Sequence, residues 1–330
     1  MKKIAIYGLG NRCGIWHRQL MREYEVVCFV SDEEGIGISR IKSVSVISKE
    51  DLYKYRYDCL VILTDRRSKE IFEDIERYSV NSHCIFWLDD FLINERKQDY
   101  YEKQCAKKQK TILKEILAAS DTEIHDYDWM YKKVIEYGLY CFRRLWLEYS
   151  EDTNWTVCGI QQIPEEFTEF CIFLSDLNIS SAIDIGVYKG RSSYFVCAIL
   201  MRKNPNLTYY LVDIEDRLDH FEDYQEILPS LCKRIPQSSG NYKGKQFDYV
   251  FIDADHTYDG SIADYENVGK YAKVLVAFHD IYAHEYDACN GGTVRTWKEV
   301  LEREAGNEIY TFSKHPNEWM GIGCVMKTGE

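Results

Sequence analysis

The sequence predicts an α/β protein built from two doubly wound parallel sheets joined by a helical linker. Three observations carry that prediction. Short apolar runs alternate with helical patterns in both halves, which is the rhythm of parallel strands connected by crossover helices. Each half opens on a strand that ends in a glycine turn, "KKIAIYGLGNRCG" at the start and "AIDIGVYKGRSSY" at residues 182–194. The chain's 330 residues exceed what one ordinary core of about 150 residues needs. The expected division is 1–93, 94–157 and 158–330.

In the first region "KIAIYG", "EVVCFVS", "VSVIS", "DCLVILT" and "HCIFWL" read as strands, and "SKEIFEDIERY" reads as a helix between the last two. Residues 94–118 lack Pro and Gly and are dense in mixed charge, the signature of a solvated helix leaving a domain. The stretch "DYDWMYKKVIEYGLYCFRRLWLEY" carries aromatics at helical spacing, which predicts packing against a domain or against a second copy in a homodimer. At Pro164, Glu165 and Glu166 a new helix begins, because proline suits the first turn and acids complement the helix dipole there.

Beyond it come strand "SAIDIGV", helix "RSSYFVCAILM", strand "TYYLVDI", strand "FDYVFIDA", helix "SIADYENVGKYA", strand "KVLVAFHDI" and helix "TVRTWKEVLERE". "EIYTF" and "GIGCVMK" close the chain as a hairpin. A further strand belongs within 228–246, where no periodicity locates it.

Charge and cysteine usage exclude several classes. A formal charge of −13 argues against nucleic acid or an anionic membrane as the main partner. No apolar run approaches a membrane span, and the basic start breaks at Gly8 without a cleavage site, so it reads as a strand rather than a signal peptide. The twelve cysteines are scattered without C-x-x-C spacing, which predicts small core hydrophobes in a reducing cytoplasm.

In an open parallel sheet ligands sit beyond the carboxyl ends of the strands. Those ends carry Asp184, Gly186 and Gly190, then Asp213, then Asp253 to His256, then His279 and Asp280. So acidic a mouth suits a cationic or hydroxyl-rich ligand and a divalent ion better than a pyrophosphate.

"DIGVYKGRS" resembles the first motif of class I S-adenosylmethionine-dependent methyltransferases, closest to the catechol O-methyltransferase-like branch with its E-x-G-x-x-x-G-x-S pattern, Asp184 standing for the Glu. "FIDADHTYDG" and "VAFHDI" resemble the fourth and fifth strand ends of that branch and of methyltransferase family 24, so the resemblance covers about 158–330. It implies a class I methyltransferase fold with a terminal hairpin, and S-adenosylmethionine as cofactor. Asp184, Gly186, Tyr188, Gly190, Ser192, Asp213 and Asp253 would be the cofactor contacts, Asp213 accepting from the ribose hydroxyls.

The implied activity is O-methylation of a small, sugar-like hydroxyl acceptor such as a nucleotide sugar or glycan precursor. A sugar-like hydroxyl keeps its proton at neutral pH, so the site needs a device to remove or weaken it. His256, three residues after Asp253 where relatives place a catalytic lysine, is the candidate general base. Asp253, His279 and Asp280 occupy the positions at which metal-dependent relatives carry Asp, Asp and Asn, so they are the candidate ligands of Mg2+ or Mn2+. Asp255 and Asp264 are expected to hold substrate or orient His256, and Arg295 and Trp297 to face the acceptor, Arg295 having a surface ion pair as its alternative.

The first glycine turn departs from G-x-G-x-x-G, with Cys13 in the third glycine's place and Gly14 after it. Gly8, Gly10, Gly14 and the distant Asp32 make a nucleotide cradle with a ribose-binding acid, in a unit resembling the small nucleotide-binding domains of bacterial glycan-biosynthesis enzymes. Partner docking, a nucleotide or nucleotide sugar, and a nicotinamide ligand all stay open for it. The competing reading of the whole chain is a nucleotide-binding interaction module with an inactive methyltransferase domain; an oxidoreductase comes third.

Overall fold

The computed structural model describes residues 1–32, 39–64, 68–78, 85–94, 98–140, 154, 156, 158–218 and 220–328. They divide into two compact units, 1–105 with 138–159, and 106–137 with 160–330. Residues 94–157, expected to join two domains, are shared between these units, with 106–137 in the second.

In the first unit β1 (Lys3–Tyr7), β2 (Glu25–Val30), β3 (Arg40–Ile41), β4 (Val44–Ile47), β5 (Cys59–Ile62) and β6 (Ile85–Trp87) form one sheet in the order β3-β4-β2-β1-β5-β6. All its pairings are parallel except β3 with β4. Helix α1 (Asn11–Glu23) connects β1 to β2, α2 (Lys69–Tyr78) connects β5 to β6, and α3 (Leu88–Asn94) follows β6. Ala5, Cys28, Val30, Leu60, Ile62 and Ile75 share the core of one face, as continuous apolar strands buried on both sides require. The described cysteines are free, and burial pushes the Cys28 thiol up to about 12, so it packs as a small hydrophobe.

The expected solvated helix is α4 (Gln98–Ala118), whose residues from Ala106 on belong to the second unit, and it is not solvated all round. Gln109, Ile112, Leu113 and Ile116 are buried on one face. The Gln109 amide donates to the Tyr137 carbonyl (2.9 Å), and its oxygen accepts from the Tyr224 hydroxyl (2.6 Å) and Arg191 (3.3 Å). A Ser120–Glu123 capping box starts α5 (Asp121–His125), and α6 (Tyr127–Tyr137) buries Met130, Val134 and Tyr137. The aromatic stripe therefore packs within this unit, against α7 (Pro164–Ser175). Its continuation over 141–149 lies outside the described residues.

The second sheet contains β7 (Ser181–Ile185), β8 (Thr208–Val212), β9 (Leu231–Arg234), β10 (Tyr249–Ile252), β11 (Leu275–His279), β12 (Glu308–Phe312) and β13 (Ile322–Met326). Helices α8 (Arg191–Lys203), α9 (Phe221–Gln225), α10 (Tyr258–Asn267) and α11 (Gly292–Arg303) complete the unit. The strand order is β12-β13-β11-β10-β7-β8-β9. From β9 to β11 every pairing is parallel, and the terminal hairpin β12–β13 adds antiparallel to β11. The strand that periodicity left unplaced is β9, a sheet edge whose sequence "LCKR" buries only Leu231 fully.

Trp297 does not face an acceptor. It is buried on α11 against Phe278 (ring centroids 5.7 Å), over Gly323 of β13, where an added Cβ would lie 2.6 Å from the indole ring. Gly323→Ala is therefore expected to lower unfolding stability by about 1–3 kcal/mol through overpacking, and Trp297→Phe in the same chain to recover part of that loss. Chemical denaturation checks it, and additive losses in the double variant would count against the contact.

Candidate active site

The carboxyl ends of β7, β8, β10 and β11 lie on one edge of the second sheet, with positive-φ residues Gly186, Tyr188, Gly190 and Asp280 just beyond them. Gly186 leaves β7 at φ +92°, and a Cβ on it would stand 2.3 Å from the Asp253 carbonyl oxygen and 2.4 Å from the Ala254 Cα. Glycine is needed there so that the exit of β10 can cross the exit of β7. Tyr188 also has positive φ (48°), and its N–H donates to Asp213 Oδ2 (2.9 Å). Gly190, at φ +76°, is the N-cap of α8, and a side chain there would strike Tyr194 and Leu218. Ser192 lies half-buried in the first turn of that helix.

Asp184, expected among the cofactor contacts, is turned inward. Its side chain is buried, accepting from the Ser193 hydroxyl (2.7 Å) and the Tyr209 hydroxyl (3.3 Å), so it ties β7 to α8 and β8. Burial pushes its carboxyl up to about 7, against the pull of the two hydroxyls. Asp213 stands differently. Oδ2 accepts from Tyr188 and Oδ1 from the Glu215 N–H (3.0 Å), which leaves each oxygen a further lone pair. Its carbonyl accepts from the Gln237 N–H (2.9 Å), which joins the β8 and β9 exits.

On the other side of β7, four titratable groups meet. His256 Nε2 lies 2.8 Å from Asp280 Oδ2 and 3.6 Å from Asp253 Oδ1. His279 Nδ1 lies 3.3 Å from the same Asp253 oxygen and 3.4 Å from Asp280 Oδ1. Tyr286 stacks on the His256 ring (4.5 Å, 15°), the Thr293 hydroxyl donates to the Asp280 carbonyl (2.7 Å), and Asp280 itself has φ 60°. Sequence reading missed Tyr286, which lies in the irregular stretch between β11 and α11, and Thr293, which it read only as the start of a helix.

Two expectations concern this group. Burial would lower the His256 pKa, but the hydrogen bonds it makes to the Asp253 and Asp280 carboxylates outweigh it and push it up to about 10. In the ligand-free group the carboxylates therefore favour the protonated imidazole, which would have to give up that proton before acting as a base. Asp253, His256 and Asp280 offer ligand atoms all within 4.8 Å of one another, a group that could hold a cation and that includes His256 beside the two expected carboxylates. His279 lies against both carboxylates, and they push its pKa up to about 9 despite burial. Two carboxylates and one imidazole suit a divalent ion of the manganese class, whose charge would substitute for the proton that the carboxylates now hold on His256.

The remaining site expectations are placed as follows. Asp255 accepts from the Thr257 N–H (2.9 Å), and Asp264 is buried with its hydrogen bond to Ser239, so neither orients His256. Arg295 stacks over Tyr258 (3.8 Å) and donates to Asn290 (2.6 Å) on the surface.

In the first unit, Gly8 (φ +96°) makes the tight turn after β1, its N–H donating to the Val30 carbonyl, and Gly10 is the N-cap of α1. Cys13 and Gly14 are buried in α1, and the Gly14 N–H donates back to Gly10. Asp32 accepts from the Tyr7 hydroxyl and lies 3.7 Å from the Lys49 ammonium. The acid expected to bind ribose is thus engaged by protein groups, and no ligand is assigned to this turn.

Asp184 generates a signed prediction. An acid whose folded pKa is raised holds its proton more tightly when folded, so its contribution to stability falls as pH rises from 3.8 to about 7. Asp184→Asn should therefore gain stability relative to the parent between pH 5 and pH 8, by on the order of 2 kcal/mol. Urea denaturation at the two pH values measures it, and a pH-independent difference would contradict the buried-acid assignment.

Residues 183–281 match the family model described as a methyltransferase domain, and residues 1–86 match C2185-like, N-terminal. No curated protein matches the chain. Among solved structures, the O-methyltransferase from Bacillus cereus in complex with SAH aligns at 15% identity and TM-score 0.40, covering 51% of this chain and 83% of that one. TomG from Streptomyces achromogenes, an O-methyltransferase of tomaymycin synthesis solved with SAM, aligns at 13% and 0.40, covering 52% and 82%. A putative O-methyltransferase from Klebsiella pneumoniae aligns at 15% and 0.36, covering 51% and 82%. The second unit, with its seven-stranded sheet and terminal hairpin, thus carries the match to a methyltransferase domain, and the first unit carries the match to the C2185-like N-terminal model.

Proposed function

We propose that this chain transfers the methyl group of S-adenosylmethionine to a hydroxyl of a small, sugar-like acceptor in the cytoplasm, with a divalent cation held by Asp253, His256 and Asp280. The observation that supports it best is the split of the strand-end groups about β7. The Gly186–Gly190 turn and Asp213 lie on one side, and the Asp/His/Asp group lies on the other. That separates a place for a cofactor from a place for an acceptor while keeping them adjacent, as an in-line displacement needs.

S-adenosylmethionine supplies an electrophilic methyl carbon on a sulfonium, and a divalent cation lowers the pKa of a hydroxyl that it touches. Asp213, with a free lone pair on each oxygen, is placed to accept from two neighbouring ribose hydroxyls. Backbone groups of the Gly186–Gly190 turn would line the rest of the cofactor. Asp253, Asp280 and His256 hold the cation, and Tyr286 covers one face of the imidazole and keeps it from rotating away. A mouth lined by carboxylates suits an acceptor rich in hydroxyl groups.

Two outcomes are expected. S-adenosylhomocysteine should bind in calorimetry, and Asp213→Ala should weaken it at least tenfold, about 1.4 kcal/mol, through loss of charge-assisted hydrogen bonds. Unchanged affinity would remove Asp213 from the cofactor site. Mn2+ should bind the parent chain and lose at least tenfold in affinity in His256→Ala, read by electron paramagnetic resonance; equal affinity would return His256 to some other role. The acceptor class is tested by native mass spectrometry after incubation with S-adenosylmethionine and a panel of nucleotide sugars, where a gain of one methyl on none of them sets the sugar assignment aside.

A further inference from the structure

Glu166 looks in the sequence like a dipole-complementing acid in the first turn of α7. Its neighbour Glu165 does lie at the surface, paired with the Lys314 ammonium (2.8 Å). Glu166 is 1% exposed, and both of its oxygens are spent on backbone far along the chain. Oε1 accepts from the Lys314 N–H (2.8 Å) and Oε2 from the Gly321 N–H (3.1 Å), the two ends of the loop between β12 and β13. Burying a carboxylate costs several kcal/mol unless donors compensate it, so a helix-start acid placed here must serve the loop.

That loop in turn holds the segment after β11. The Tyr282 N–H donates to the Met320 carbonyl (2.8 Å) and the Ile281 N–H to the Gly321 carbonyl (3.3 Å), while the Trp319 indole donates to Glu285 (3.1 Å). Met320 and Gly321 adopt φ +49° and +88°, and a side chain on Gly321 would strike the Tyr282 ring at 2.9 Å, so the two segments fit in one register only. The segment held this way begins at Asp280 and ends at Tyr286, the carboxylate that pairs with His256 and the ring that stacks on it.

We propose that Glu166 is a positioning residue for the active site: by clamping both ends of the β12–β13 loop it fixes the Asp280–Tyr286 segment that orients His256. The inference deepens the methyltransferase reading, since the wall it fixes is the acceptor side of that site. It predicts that loosening Glu166 loosens residues that it does not touch.

The test is amide hydrogen exchange by mass spectrometry on the full, ligand-free chain. Glu166→Gln, of the same shape but with only one acceptor oxygen, should raise exchange at least tenfold in peptides covering 280–286 as well as 313–321, with 208–212 on the far side of the sheet unchanged. Faster exchange confined to 313–321, or an equal rise everywhere, overturns the proposal. If Glu166→Gln does not fold, Glu166→Asp, which withdraws the charge by one methylene, supports the same comparison.

A second readout separates positioning from plain packing: Mn2+ binding should weaken at least fivefold in the Gln variant while S-adenosylhomocysteine affinity stays within twofold. Should the parent chain bind neither probe, the methyltransferase reading fails on its own, and the exchange pattern still decides the role of Glu166.

Discussion

The active edge of the second unit depends on one close approach. Gly186 and the Asp253–Ala254 backbone are so near that a single methyl group would sit 2.3 Å from a carbonyl oxygen. Because β7 and β10 are neighbours in register, Ile185 beside Ile252, their exits must either diverge or cross at once. Glycine at positive φ lets them cross. The glycine turn and Asp213 then fall on one side, the Asp253 group on the other, and everything that the site can do follows from that adjacency.

Buried charge is handled in two ways around this edge. Asp184 and Glu166 are acids in near-complete burial whose oxygens accept from hydroxyls or backbone N–H groups, and burial raises both toward about 7. They work as fasteners, one between a strand and its helix, the other between a helix and a distant loop. Asp253 and Asp280 instead face two imidazoles, and the charge of His279 with the hydrogen bonds of both rings holds Asp253 well below the usual carboxylate range despite its burial. A group of balanced opposite charges at the mouth of a sheet is easily converted, since a divalent cation can take the place of protons without leaving a carboxylate uncompensated.

The same contrast shows how little residue type alone says about a side chain's surroundings. Trp297 and Arg295 lie on one helix two residues apart, and one packs over Gly323 while the other stacks on Tyr258 at the surface. Asp32 has the spacing of a ribose-binding acid, yet the Tyr7 hydroxyl and Lys49 engage it within the first unit. Spacing constrains which residues reach a strand end. It does not say which neighbours arrive there with them.

What the sequence by itself determined is the α/β class, the alternation that builds both sheets, the terminal hairpin and the strand ends that carry chemistry. All of these follow from local periodicity and turn residues, which act over a few neighbours. Strand β9 escaped because an edge strand with one buried residue has no pattern to read. Only the tertiary structure decided that Asp184 ties a strand to its helix, that Asp253, His256 and Asp280 come within 4.8 Å of one another, that α4 buries a face, and that Glu166 reaches a loop 148 residues away. The reason is physical: burial and the sign of neighbouring charges set what a carboxylate or an imidazole can do, and both depend on segments far apart in the chain.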